Sequence, residues 1–99
     1  MDHETRIGLI GVGLLGSAIA ERFFQSDICV IGFDTDPARR EELTALGGTA
    51  CADAAQVFTQ CEVILLSLPT SQVVRHTLAE NAQALSANST VVTFFPLVF

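Results

Sequence analysis

Apolar residues in this chain fall either in short unbroken runs or in longer stretches where they return every third or fourth position. The run Arg6-Ile7-Gly8-Leu9-Ile10 leads straight into a glycine turn, the pattern of a strand buried on both faces of a parallel sheet. Over residues 14–25, Leu15, Ala18, Ile19 and Phe23 recur at helical spacing while Glu21, Arg22 and Gln25 gather opposite, which predicts an amphipathic helix with the first set inward. Ser26-Asp27 breaks that helix, and the β-branched run at 28–33 reads as a second strand closing on Asp34.

Asp36 then offers a cap and Pro37 a first helical position, and Gly47-Gly48 supplies the stop after a helix over 38–46. Thr49-Ala50-Cys51 makes a minimal third strand, and Asp53 caps a short helix ending near Gln60. Val63-Ile64-Leu65-Leu66-Ser67-Leu68 is the plainest buried strand, ended by Pro69. A helix is expected over 71–85, with Val73, Val74, Thr77, Leu78 and Ala82 inward and Gln72, Arg75, Glu80 and Gln83 outward. Thr90-Val91-Val92-Thr93-Phe94-Phe95 closes as a fifth strand. Strands alternating with helices imply an α/β fold built on a doubly wound parallel sheet, in the order 3-2-1-4-5, and a single domain over 1–99.

Composition narrows the function classes. Hydrophobic residues make up 49 % of the chain, well above the profile of a disordered segment, and charged residues only 16 %. A net charge of −6 argues against nucleic acid, whose phosphates are met largely by Lys and Arg. The N-terminus Met1-Asp2-His3-Glu4-Thr5-Arg6 lacks the basic opening of a secretory signal, so a cytoplasmic protein with no membrane span is expected. Cys29, Cys51 and Cys61 show no C-x-x-C spacing and read as small hydrophobes of the interior, with no metal site expected. His3 and His76 have no evident carboxylate or nucleophile partner by spacing, and no catalytic residue is assigned.

The glycines at 11, 13 and 16 stand in the spacing G-x-G-x-x-G between a buried strand and a helix, and that context gives each a task. Gly11 makes the tight turn, Gly13 lets a pyrophosphate approach, and Gly16 packs helix on strand. Amides around Leu14 and Leu15, at the positive end of the helix dipole, then face an anion without any side-chain cation. Asp34, eighteen residues beyond Gly16, is placed to accept from adenosine ribose hydroxyls, or else merely starts the next turn. As a ribose acceptor it favours NAD over NADP, since a 2′-phosphate meets a like charge; Arg39 and Arg40 either reach such a phosphate or are simply solvated. Ser67-Leu68-Pro69-Thr70, past the fourth strand, lies on the sheet edge where ligands of open α/β folds bind, or is a plain strand terminator. Val73 and Val74 either touch the cofactor or pack in the core.

With those residues placed, the chain resembles the N-terminal, Rossmann-type cofactor domain of the β-hydroxyacid dehydrogenase family, which includes 3-hydroxyisobutyrate and 6-phosphogluconate dehydrogenases. The resemblance covers about residues 6–92 and rests on the string from Ile7 to Gly16, on Gly32-Phe33-Asp34 with Asp36-Pro37, on Leu46-Gly47-Gly48, and on the string from Val63 to Pro69. It implies oxidation of a β-hydroxy acid, or reduction of the matching carbonyl, by hydride exchange with NAD or NADP. It also implies cofactor-binding roles for Gly11, Val12, Gly13, Leu14, Leu15, Gly16, Asp34, Leu68 and Pro69.

The departures from the family pattern bear on activity. The family's substrate loop follows the fifth strand, where this chain reads Thr93-Phe94-Phe95-Pro96-Leu97-Val98-Phe99, and its catalytic lysine belongs to a following helical domain, whereas this chain has five Arg and no Lys. A cofactor domain that binds NAD without turning over substrate by itself is therefore expected, from a truncated or frame-altered product or an excised domain. A β-hydroxy acid would be engaged only with a second domain supplied. The rival readings are a non-catalytic dinucleotide sensor, a module docking a partner through the apolar C-terminal tail, and a methyltransferase-like adenosine site.

Overall fold

A computed structural model describes residues 6–85 and 89–94, the last through its main chain. The elements are β1 (Arg6–Ile10), α1 (Leu14–Gln25), β2 (Cys29–Phe33), α2 (Pro37–Leu46), β3 (Thr49–Ala50), α3 (Ala54–Gln60), β4 (Val63–Ser67), α4 (Ser71–Glu80) and β5 (Thr90–Phe94), with a single 3-10 turn at Ala82–Ala84 after α4. The five strands form one sheet in the order β3-β2-β1-β4-β5, and every pairing is parallel. β1 is central, with Ile7 opposite both Val30 and Val63.

Two cores lie on opposite faces of this sheet, and the two-residue period of the strands divides the side chains between them. Leu9, Val30 and Leu65 point to one face with Val12, Ala20 and Leu43 from the side of α1 and α2. Ile10, Ile31, Ile64 and Leu66 point to the other with Val57, Phe58 and Val74 from α3 and α4. Cys51 and Cys61 are buried in that second core as free thiols, and burial raises both above the ordinary thiol pKa.

The helix starts follow their capping residues. Asp36 accepts from the Ala38 amide with Pro37 in the first turn, Asp53 from the Gln56 amide, and Thr70 from the Val73 amide. Gln56 returns the favour by accepting from the Ala52 amide at 3.0 Å. At the far end of α2, the amides of Gly47 and Gly48 close onto the carbonyls of Thr44 and Leu43, ending the helix.

Several expectations need correction. The buried line of α1 runs through Gly16 and Ala20, with Phe23 and Phe24 half-buried, whereas Leu15 and Ala18 are exposed. The helix is rotated because its closest approach is made by its smallest residues. Ile28 donates to the Phe23 carbonyl to finish α1, where Asp27 takes a left-handed φ of 59°, so β2 begins one residue late, at Cys29. β3 stops at Ala50, although the Cys51 amide still reaches the Gly32 carbonyl at 2.8 Å, and β4 stops at Ser67.

α4 ends at Glu80 rather than continuing to 85. Asn81 turns both its main-chain and its side-chain amide onto the Thr77 carbonyl, at 3.2 and 2.8 Å, which terminates the ladder. Ala82, expected inward, is exposed in the 3-10 turn, and Val73 is 38 % exposed. The expectations for His3, for the strand's extension to Phe95 and for the apolar tail fall outside the described residues.

Candidate functional site

The chain leaves β1 through Gly11, whose φ of +93° disfavours any side chain. A β-carbon there would also run into the carbonyl oxygen of Ser67 at the end of β4, while the Gly11 amide donates to the Phe33 carbonyl at the end of β2, 2.9 Å away. The turn is thus wedged between the two strands flanking β1. Gly16 serves a different contact: a β-carbon on it would strike the Gly11 carbonyl oxygen, so its absence lets α1 close onto the turn.

Gly13 has neither constraint. Its φ and ψ, −65° and −161°, are open to any residue, and a β-carbon built on it meets nothing within 4 Å. Nothing inside the described chain requires glycine here, and the bare main chain fronts an open groove.

The amides beside it are unpartnered. Among the described residues, the N–H groups of Gly13, Leu14, Leu15 and Gly16 have no hydrogen-bond acceptor, and the first helical bond runs from the Ser17 amide to the Gly13 carbonyl at 2.8 Å. Of the four α-helices among the described residues, α1 alone has no side-chain cap. Its first-turn donors and positive dipole end are therefore available to an anion.

Asp34 sits across the turn. Its Oδ2 accepts from the Val12 amide at 2.8 Å and its Oδ1 from the Asp36 amide at 2.9 Å, so it starts the turn into α2 while also lining the groove. Arg40, expected to be solvated or to reach a phosphate, instead folds back: Nη1 donates to the Asp34 carbonyl at 2.7 Å and the guanidinium lies 5.5 Å from the Phe33 ring centroid. Arg39 pairs with Glu42 at 3.1 Å.

The groove between these elements encloses about 440 Å³. Gly11 and Gly13 form its floor with Asp34 and Thr35 on one side; Ser67, Leu68 and Pro69 face them from the end of β4, and Val73 and Thr77 from α4. Of the residues given cofactor-binding roles from sequence, Gly11, Gly13, Asp34, Leu68 and Pro69 line it; of the 67–70 stretch Ser67 also does, whereas Thr70 caps α4 instead. Val12 and Gly16 are buried behind the turn, while Leu14 is 87 % and Leu15 44 % exposed beside it. Val73 faces the groove and Val74 the core, which divides the two valines between the alternatives left open for them.

Sequence reasoning missed several contributors, Thr35 on the groove wall among them. Ser17 donates its hydroxyl to the Val12 carbonyl at 3.1 Å; its polar side chain in the first turn of α1 was the available signal. Phe33 acts through a carbonyl, which no side-chain pattern reveals, and Thr77 enters only through the packing of α4. His76, expected to be without a partner, meets Glu80 one helical turn on at 3.2 Å, with both side chains largely exposed. No group of three or more His, Cys, Asp or Glu among the described residues is placed to hold a metal ion.

The model of the NAD-binding domain of 6-phosphogluconate dehydrogenase matches residues 6–94. This chain belongs to that family. The 2-(hydroxymethyl)glutarate dehydrogenase of Eubacterium barkeri is 29 % identical over 87 residues, covering 88 % of this chain and 29 % of its own length. Among solved structures, Mycobacterium tuberculosis 3-hydroxyisobutyrate dehydrogenase with L-serine matches at a TM-score of 0.87 and 23 % identity, over 93 % of this chain and 32 % of that one. An imine reductase of Myxococcus stipitatus, solved with NADP+ and, as a variant, with NAD+, matches at 0.84 and 0.85 with 21 % and 22 % identity, over 91 % and 93 % of this chain and 32 % of each. At these identities the solved structures establish the fold. The chain thus spans under a third of the length of these relatives. No helix among the described residues is long and apolar enough to cross a membrane.

Proposed function

We propose that the chain holds NAD along this groove, with the pyrophosphate at the N-terminus of α1, and that it is the cofactor-binding part of a dehydrogenase acting on a small β-hydroxy acid. The observation that carries the reading is Gly13: a bare main chain without cause inside the described residues, opening a run of four amides, its own included, that lack acceptors among the described residues. A dinucleotide's phosphates would use those donors, and the apolar wall of Leu68, Pro69 and Val73 suits an adenine face.

The preference for NAD over NADP rests on charge. Asp34 presents a carboxylate where an adenosine ribose would lie, and its free lone pairs accept from hydroxyls but repel a 2′-phosphate. Arg40, beside Asp34, is committed to the Asp34 carbonyl and the Phe33 ring.

Bound NAD would supply the hydride acceptor, and this chain's part is to hold and orient it. Turnover also needs a proton acceptor beside the substrate hydroxyl. The chain contains no lysine, so we place that group, with the substrate contacts, on a further domain, and treat 1–99 as one cofactor domain of a cytoplasmic enzyme.

Fluorescence titration with NADH and NADPH tests the reading. Saturable binding of NADH, tighter than NADPH by about tenfold, is expected, a difference of about 1.4 kcal/mol. Absence of binding by either coenzyme defeats the proposal, and tighter binding of NADPH defeats the charge argument.

A further inference from the structure

Val12 is held at both of its peptide groups before any ligand arrives. Its amide donates to Asp34 Oδ2 at 2.8 Å and its carbonyl accepts from the Ser17 hydroxyl at 3.1 Å. In a trans peptide the N–H and C=O point in opposite directions, so fixing the Val12 carbonyl also fixes where the Gly13 N–H points. One residue earlier, the Gly11 amide is tied to the Phe33 carbonyl. The turn's first two amides are therefore spent on β2 and the stretch following it, and the next four are left without acceptors among the described residues.

We infer that Asp34 is a positioning residue for the glycine turn, its carboxylate holding the Val12 main chain so that the Gly13 amide faces the groove. This role is separate from any contact with a ribose, and it rests on the proposed dinucleotide reading only for its ligand readout. The carboxylate is suited to it because it is itself held: Oδ1 is fixed by the Asp36 amide, and the residue's own carbonyl by Arg40. A charged acceptor also makes a stronger bond to an amide than a neutral one does. The linkage ties the site's two halves together, so a change at the end of β2 is felt by the phosphate-binding amides.

A pair of ligands separates the two roles: ADP, and its 2′,3′-dideoxy analogue, which keeps the diphosphate but has no ribose hydroxyl for Asp34 to accept from. Two uncharged variants, Asp34→Asn and Asp34→Ala, differ in whether an oxygen remains for the Val12 amide. If Asp34 positions the turn, the dideoxy analogue binds the Asn variant about tenfold more tightly than the Ala variant. Equal binding of the dideoxy analogue to the two variants overturns the inference and leaves only a ribose contact. Melting curves confirm that both are folded at the temperature of measurement.

A second measurement needs no variant and no ligand. In the unmodified chain, amide hydrogen exchange should be slower at Val12 than at Leu14 and Leu15, and equal exchange at the three sites overturns the inference. Because this readout is taken without ADP, it stands even if the chain binds no nucleotide, in which case the dinucleotide reading alone fails.

Discussion

The carbonyl oxygen of Gly11 and the α-carbon of Gly16 lie so close that a β-carbon on Gly16 has no room. This contact rotates α1, bringing Gly16 and Ala20 to the sheet and leaving Leu14 and Leu15 at the surface beside the groove. The same packing fixes where the helix begins and where its unpartnered amides stand.

Substituting the glycines separates packing from binding. Gly16→Ala should destabilise the domain by about 1–3 kcal/mol through overpacking. Gly13→Ala, whose new methyl meets no atom, should change stability by no more than about 0.5 kcal/mol. It should nevertheless weaken NADH at least about tenfold, because the methyl occupies the ligand's space. Paired urea melts and NADH titrations check this; a Gly13→Ala chain that binds NADH normally would remove the main support for the site.

The cap of α3 offers a control for Asp34. Asp53 accepts from the Gln56 amide at 2.9 Å and is not among the groove-lining residues. Asp53→Ala should cost about 1 kcal/mol of stability, as lost N-caps typically do. NADH affinity should stay unchanged, and a large loss of binding would mean that affinity tracks general stability rather than the turn.

Leu43 is fully buried and its side chain fills the space over Gly32 and Gly48. Leu43→Ala should cost about 2–5 kcal/mol, a large part of a small domain's stability, by leaving a cavity between α2 and the sheet. The check is a lowered urea midpoint with an unchanged slope.

The alkaline limb of stability should belong largely to the thiols, since the chain has neither lysine nor tyrosine. Burial raises Cys51, with Asp53 adding to it; burial likewise raises Cys61, with Cys51 adding and Arg6 opposing. A raised folded pKa means the native state keeps protons that the unfolded chain has released. The stabilisation is complete below the ordinary thiol value of about 8.5 and is lost as pH rises through the raised values. Urea midpoints should fall as pH rises above about 8.5, and fall less in a Cys51→Ala, Cys61→Ala double variant. A pH-independent midpoint in that range would contradict the assignment.

By itself the sequence determined the order of elements, the parallel sheet and the position of the turn, because these follow from local signals. Unbroken apolar runs mark strands buried on both faces, Asp36 and Asp53 cap through bonds within three residues of themselves, and G-x-G-x-x-G after a strand marks a crossover. Tertiary structure alone decided which face of α1 is buried, that Val73 lines the groove while Val74 does not, and that Arg40 turns back onto Phe33. It also decided what Asp34 holds, since the amide it accepts from lies twenty-two residues away in sequence. The physical reason is range: a cap is read from its neighbours, whereas a clash averted at Gly16 or a carboxylate bridging two strands' ends exists only once the sheet has brought them together.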